Sequence, residues 1–294
     1  MSKKNDVETT GHSWDGIEEY NNPLPKWWLW TFYLTIIWGI GYTIAFPAWP
    51  MVERATGGLL GWSTRHEVAE RISAFERMNA AVEAELAAAD VTEVSVGSDV
   101  YNYGVNMGAA VFRANCSQCH GSGAQGNVGY PTLLDNDWLW GGTIDEIVYT
   151  VQHGVRNDTD DDARYSEMPR FGADELLLPE EIDQVVEYVL SLSDPDGDGT
   201  NVTGHSYDAE LAAAGAEVFE FNCASCHLED GTGDIYQGAP NLTDAIWLYG
   251  GDRETVHETV HYARFGVMPA WGQRLSQAEV NAAAIYVHQL GGGQ

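Results

Sequence analysis

Cys116-Ser117-Gln118-Cys119-His120 decides how the chain is read. Cys-x-x-Cys-His is the attachment signature of a c-type haem: both thiols bond covalently to the porphyrin, and the adjoining histidine ligates iron. The signature returns at Cys223-Ala224-Ser225-Cys226-His227, and these are the only four cysteines in 294 residues. None is left for a disulfide or a separate zinc site. A redox dithiol has no need of histidine at the fifth position, and zinc would need four ligands per site. The motifs therefore call for two covalently bound haem c groups, attached through Cys116, Cys119, Cys223 and Cys226, with His120 and His227 as axial ligands.

The surroundings of the two motifs repeat. Gly108, Phe112 and Asn115 precede the first at the offsets at which Gly215, Phe219 and Asn222 precede the second. Downstream come Pro131-Thr132-Leu133 and Pro240-Asn241-Leu242, then Trp138-Leu139-Trp140-Gly141-Gly142 and Trp247-Leu248-Tyr249-Gly250-Gly251. Met168-Pro169 and Met268-Pro269 follow, and each half closes on a helical pattern holding Tyr188 or Tyr286. The first half carries about nine extra residues before its methionine, including Asp158, Asp160, Asp161 and Asp162. That stretch reads as a solvated loop or as a docking patch for a positively charged neighbour.

Forty-four acidic residues against 14 basic ones give a net charge of −30. Phosphate binding needs a positive surface, so nucleic acid is excluded as a partner. The acidity either steers a basic redox partner or adapts the surface to salt. Covalent haem attachment takes place outside the bacterial cytoplasm, which puts the chain beyond residue 100 in the periplasm or its equivalent.

From Trp27 to Val52 there is no charged residue. About 20 residues at 1.5 Å each span the ~30 Å of a bilayer's hydrocarbon core. Trp27, Trp28, Trp30 and Trp49 mark the two interfaces, and Pro47 and Pro50 end the helix. The run is too long for a signal peptide, follows about 25 mainly polar residues and lacks a small-residue cleavage site. It predicts a permanent single-pass anchor in the bacterial inner membrane. The amino terminus is expected inside, with weak support from Lys3, Lys4 and Lys26, and the haem domains outside. Thr64 and Glu67 have the spacing of a capping box, and Val68, Ile72, Phe75, Met78, Val82 and Leu86 form a stripe that predicts a helix over about 65–88.

The expected divisions are an amino-terminal cytoplasmic segment (1–25), an anchor (26–50), a connecting amphipathic helix (51–97), two haem domains (98–193 and 205–294) and an acidic linker (194–204). The linker's Asp194-x-Asp196-x-Asp198-Gly199 matches the opening of an EF-hand loop. Position twelve is His205 rather than glutamate, so an acidic linker is the simpler reading and calcium the sharper one. His153 and His261 do not align as a repeated ligand. His12, His66, His205, His257 and His288 read as surface or local hydrogen-bonding groups.

Each half has the order of a class I cytochrome c and resembles that family over its full length: all-α, with an attachment helix, a proline loop, a methionine loop and a closing helix. The resemblance implies that the Pro131 and Pro240 carbonyls accept a hydrogen bond from the haem histidines. Of six methionines only Met168 and Met268 stand at equivalent places before proline, and they are assigned as the sixth ligands. A soft thioether favours ferrous iron, and His/Met ligation leaves no open site for oxygen or peroxide. The natural pairing joins each methionine to the histidine of its own half, although the sequence leaves a crossed arrangement open.

The run from Asp15-Gly16-Ile17-Glu18-Glu19-Tyr20-Asn21-Asn22-Pro23-Leu24-Pro25-Lys26-Trp27-Trp28 through Tyr33 resembles the dihaem subunit of cbb3-type cytochrome c oxidases. That resemblance implies an electron-transfer subunit taking electrons from a soluble or membrane-bound cytochrome c. It would pass them to a monohaem subunit and then to a haem–copper subunit, where oxygen chemistry takes place. A membrane-tethered shuttle resembling cytochrome c4 and a dihaem peroxidase are the alternatives.

Overall fold

A computed structural model describes residues 7–294, so Lys3 and Lys4 lie outside the described residues. The chain divides into two compact units, 1–78 and 79–294, with the boundary inside one long helix.

The first unit opens on a hairpin, β1 (Thr9–Trp14) and β2 (Ile17–Tyr20), paired antiparallel with Trp14 opposite Ile17. Asp15 and Gly16 between them both have positive φ (50° and 83°). That is the turn whose twist matches two antiparallel strands, and Asp-Gly is its strongest sequence signal. The mainly polar segment ahead of the apolar run thus holds a two-stranded ribbon. Next comes α1 (Lys26–Ala45), 20 residues long and apolar enough to cross a membrane. Its hydroxyls return to the backbone: Thr31, Thr35 and Thr43 each donate to a carbonyl three or four residues earlier, at 2.8–2.9 Å. No threonine hydroxyl in α1 is left unpaired towards lipid, where an unmatched donor is costly. The helix stops before Pro47, five residues short of the expected end. The amides of Leu59 and Leu60 come back to the Ile44 and Ala45 carbonyls at 3.0 Å.

The long helix α2 (Thr64–Ala88) is capped by Ser63, whose Oγ accepts from the His66 amide at 3.1 Å, and not by Thr64 as its spacing suggested. Along its stripe Val68, Ile72 and Met78 are exposed, whereas Leu86 is fully buried in the second unit.

The second unit is helical: α3 (Asp99–Val111), α4 (Ser117–His120), α5 (Ile144–His153), α6 (Pro179–Leu192), α7 (Ala209–Asn222), α8 (Ala224–His227), α9 (Arg253–Tyr262) and α10 (Gln277–His288). A π-helical turn, Phe112–Cys116, joins α3 to α4. The two halves do not close on their own last helices. α10, from the end of the chain, lies across α3 and α5, while α6, from the first half, lies across α7 and α9. Glycine lets each pair approach. A Cβ on Gly108 would run into the Ala282 carbonyl and Tyr286, and one on Gly215 into the Gln184 carbonyl and Tyr188. Phe112 then meets Tyr286 at 5.5 Å between ring centroids, and Phe219 meets Tyr188 at 5.1 Å. The contiguous spans 98–193 and 205–294, read from the repeat, therefore differ from the units that pack together.

The identity of the residues behind each closing helix accounts for the exchange. Tyr188 and Tyr286 correspond, so Glu187 of α6 corresponds to Ile285 of α10. Glu187 is only 2% exposed, and its carboxylate takes the Asp208 amide at 2.8 Å and forms an ion pair with Arg253. Ile285 instead packs on Gly104 and Leu86, and Asn281 donates to the Leu86 carbonyl at 2.9 Å. Swapping the helices back would set a carboxylate against an apolar wall with no counter-charge, a cost of several kcal/mol.

Candidate haem sites

Two clusters collect the residues singled out in the sequence. Site 1 holds Cys116, Phe112, Ala124, Leu133, Trp138, Ile147, Val151, Tyr286 and Met268. Site 2 holds Cys223, Phe219, Leu242, Trp247, Val256, Val260, Tyr188 and Met168. Each methionine thus lies with the cysteine motif of the other half, which corrects the expectation of within-half pairing. Backbone pairing holds Met268 beside the end of α5. Its amide and carbonyl exchange hydrogen bonds with Val155, just past α5, at 2.9 and 3.0 Å, and Asn157 Nδ2 donates to the same carbonyl at 3.2 Å. The extra loop of the first half is therefore part of the strap that seats Met268. Its Asp160 pairs with His153, the last residue of α5, at 3.2 Å, so part of the loop is held against the helix.

The histidines are set alike. His120 Nδ1 lies 3.0 Å from the Pro131 carbonyl oxygen, and His227 Nδ1 lies 3.0 Å from that of Pro240. A carbonyl only accepts, so Nδ1 carries the hydrogen and Nε2 keeps its lone pair for a metal. Burial pushes both imidazoles below the usual histidine range, and the carbonyl bond opposes this only in part. Both are thus held neutral, the form that ligates. Burial, helped by the paired cysteine, pushes the unalkylated Cys116 and Cys223 thiols up to about 11 and about 12.

The space between these groups suits a porphyrin. A cavity of about 500 Å³ is lined at site 2 by Met168, Phe219, Cys226, His227, Trp247 and Val260. The buried Trp247 indole N–H has no protein acceptor. A porphyrin carboxylate would supply one. At site 1 the matching Trp138 donates to the Gly292 carbonyl at 2.6 Å.

The sites touch reciprocally through the repeated tryptophan motif. A Cβ on Gly238 of the second loop would strike the Trp140 ring, one on Gly129 of the first would press on Tyr249, and the Gly129 amide donates to the Leu248 carbonyl at 2.8 Å. Arg156 lies between the Trp140 and Phe265 rings (5.9 and 5.5 Å to the centroids) and donates to the Ser166 carbonyl at 2.5 Å. Sequence reasoning passed over Arg156. The signal was its rarity, since half-buried cations need partners and the chain has few cations.

The histidines not assigned as ligands make local contacts: His66 with Glu70, His257 with Asp183, and His288 with the Gln294 carbonyl. In the linker, Asp194 accepts from the Gly197 and Gly199 amides and the Tyr207 hydroxyl at 2.8–3.0 Å. Its oxygens organise the loop itself. Among the described residues the one gathering of three histidine or carboxylate ligand atoms is His153, Asp160 and Asp162, not the linker aspartates.

A helix long and apolar enough to cross a membrane, followed by two intertwined all-α folds that each carry a haem-attachment motif, defines a tandem cytochrome c. Family models match in three pieces: the N-terminal domain of cytochrome oxidase-cbb3, FixP, over residues 6–53; cytochrome c over 105–193; and cytochrome c oxidase, cbb3-type, subunit III over 210–287. The chain is 60% identical to the cbb3-type cytochrome c oxidase subunit CcoP of Cereibacter sphaeroides, over 99% of this chain and 97% of that one. It is 53% identical to CcoP of Rhodobacter capsulatus over the whole of both chains, and 48% identical to FixP of Sinorhizobium medicae over 98% and 96%. The chain belongs to the CcoP/FixP family of cbb3-type cytochrome c oxidase subunits.

Proposed function

We propose that the chain is the dihaem electron-transfer subunit of a membrane-bound cbb3-type oxidase and performs no oxygen chemistry itself. The observation that carries this reading is that each haem-attachment motif, with its carbonyl-held histidine, has a methionine packed into the same apolar cluster as its first cysteine. Cys116, Cys119, His120 and Met268 hold one haem c, and Cys223, Cys226, His227 and Met168 hold the second. A haem c supplies a one-electron ferric/ferrous couple when bound. The protein's part is to fix that couple and dry it. The Pro131 and Pro240 carbonyls orient the histidines. The thioethers, less basic than imidazole or thiolate, favour the ferrous state. Aromatic and aliphatic walls exclude water, so little reorganisation accompanies a change of charge.

The helix Lys26–Ala45 tethers the chain in the cytoplasmic membrane, amino terminus inside and haem domains in the periplasm, where haem c is attached. Electrons from a cytochrome c reach a monohaem subunit and then a haem–copper subunit. Detergent solubilisation followed by affinity purification tests the reading. A haem–copper subunit is expected to copurify, with two covalent haems on this chain by mass spectrometry of the separated subunit and no carbon monoxide binding to them. Recovery of this chain alone, or carbon monoxide binding at either site, overturns it.

A further inference from the structure

The edges of the two sites face solvent with different chemistry. Where site 1 has Arg113-Ala114 just before its cysteine motif, site 2 has Glu220-Phe221. Where site 1 continues His120-Gly121-Ser122-Gly123, site 2 continues His227-Leu228-Glu229-Asp230. The following loop is two residues longer at site 2. The strand-like bridge that closes it joins Asp234 to Ala239, against Asn127 to Tyr130 at site 1. The added residues are Tyr236 and Gln237. Gln237 Nε2 donates to the Ser225 carbonyl at 3.0 Å and its Oε1 lies 3.5 Å from Cys226 Sγ. The longer loop is thereby held against the second cysteine, and Tyr236 beside it is left 84% exposed.

Phe221 is 75% exposed, and Leu228 and Ile235 are exposed as well. Glu220, Glu229 and Asp230, next to Phe221 and Leu228 in the chain, are also exposed. From Phe171 to Asp252 the chain has no lysine or arginine. Site 1 exposes Val128 and Tyr130 on its loop, and it has the exposed Arg113 where site 2 has Glu220. Packing does not require a phenylalanine and a tyrosine in water, and aromatic residues are enriched where protein surfaces meet.

We infer that the Cys226 edge of site 2 is the docking face for the electron donor, a small one-electron carrier protein whose own haem edge is apolar and ringed by lysines. Charge complementarity identifies the occupant. An acidic rim accelerates encounter with a basic protein and repels an acidic one, and the apolar centre holds the complex once formed. Arg113 makes the site 1 edge the poorer target for the same donor. One electron passes from the donor's ferrous haem to the ferric haem c of site 2, with no proton transferred and no bond made. Site 1 is then the exit towards the rest of the complex. The inference rests on the electron-transfer reading and adds to it the point of entry.

The test uses the intact detergent-solubilised complex and a lysine-rich mitochondrial-type cytochrome c as probe, with binding followed by surface plasmon resonance and electron transfer by stopped flow. Glu220→Lys with Glu229→Lys is expected to lower the association rate about tenfold at low salt, with the difference vanishing at high salt. Phe221→Ser with Tyr236→Ser is expected to leave association unchanged and speed dissociation several-fold. Arg113→Glu is expected not to slow association. Haem content, at two per chain in every variant, guards against misfolding; a variant that falls short is replaced by Glu220→Gln with Glu229→Gln. Unchanged association in the charge variants overturns the inference. So does loss of the haem–copper subunit from them, which would make this face an inter-subunit contact. If the wild-type chain purifies without a haem–copper subunit, the oxidase reading fails on its own. The binding experiments can then be run on the full chain alone.

Discussion

Site 1 and site 2 share a glycine-mediated helix crossing, a histidine held by a proline carbonyl, a tryptophan and a methionine. They differ behind the closing helix and in front of the second cysteine. Behind the helix, site 2 buries Glu187, which pairs with the exposed Arg253, and site 1 buries Ile285 against Leu86 of α2. In front, site 2 is acidic and aromatic, and site 1 carries Arg113. The difference shows how one fold can be used twice without its parts being interchangeable. Features common to both sites build a haem pocket; features peculiar to one site say which helix closes it and what approaches it.

Exchanging the distinguishing residues should break the pairing. Ile285→Glu places an unpaired carboxylate against Leu86 and Gly104, with an expected loss of about 3–5 kcal/mol. Glu187→Leu removes the Arg253 pair and the acceptor for the Asp208 amide. Arg253 can turn to solvent, so the expected loss is smaller, about 1–3 kcal/mol. Denaturant unfolding of the haem-loaded chain measures both, and equal losses would remove the distinction.

A second contrast is titratable. Asp137 of site 1 corresponds to Ile246 of site 2. Burial, with Asp244 and Asp135 nearby, pushes the Asp137 carboxyl up to about 6. Its folded pKa exceeds the unfolded value near 3.9, so the folded state binds the proton more tightly. Its stabilising contribution is complete below about pH 4 and is lost as pH rises to about 6. Asp137→Asn should flatten that decline and raise stability at neutral pH by about 1 kcal/mol, a figure already reduced for partial solvent screening. Unfolding curves across pH 4–8 check the sign.

The weakest contrast is at the helix starts. α10 begins with a reciprocal cap in which Ser276 and Glu279 satisfy each other's amides at 2.8–3.3 Å. α6 begins at Leu178-Pro179, where Glu181 takes the Leu178 amide at 2.7 Å and no side chain returns the favour. Ser276→Ala is expected to cost about 1 kcal/mol, and Leu178→Ala less in capping, by thermal unfolding.

Much of this was legible in the sequence, because haem attachment, proline loop and methionine are local signals repeated at fixed offsets. The anchor and α2 were legible as an uncharged run and a periodic stripe. The exchange of closing helices was not. Sequence proximity favours Gly108 with Tyr188, and only the Glu187–Arg253 and Asn281–Leu86 contacts reverse it. Such contacts join residues far apart in the chain and leave no periodic trace. The amino-terminal hairpin had a signal in Asp15-Gly16, but its strands bury nothing and so show no apolar alternation.

Which methionine belongs to which iron is settled by a chain carrying haem at site 1 alone, with Cys223 and Cys226 replaced by alanine. The ferric form of a thioether-ligated haem shows a long-wavelength sulfur-to-iron charge-transfer band. Crossed ligation predicts that Met268→Ala abolishes this band and Met168→Ala leaves it. Loss of the band in Met168→Ala, with Met268→Ala unchanged, would contradict it.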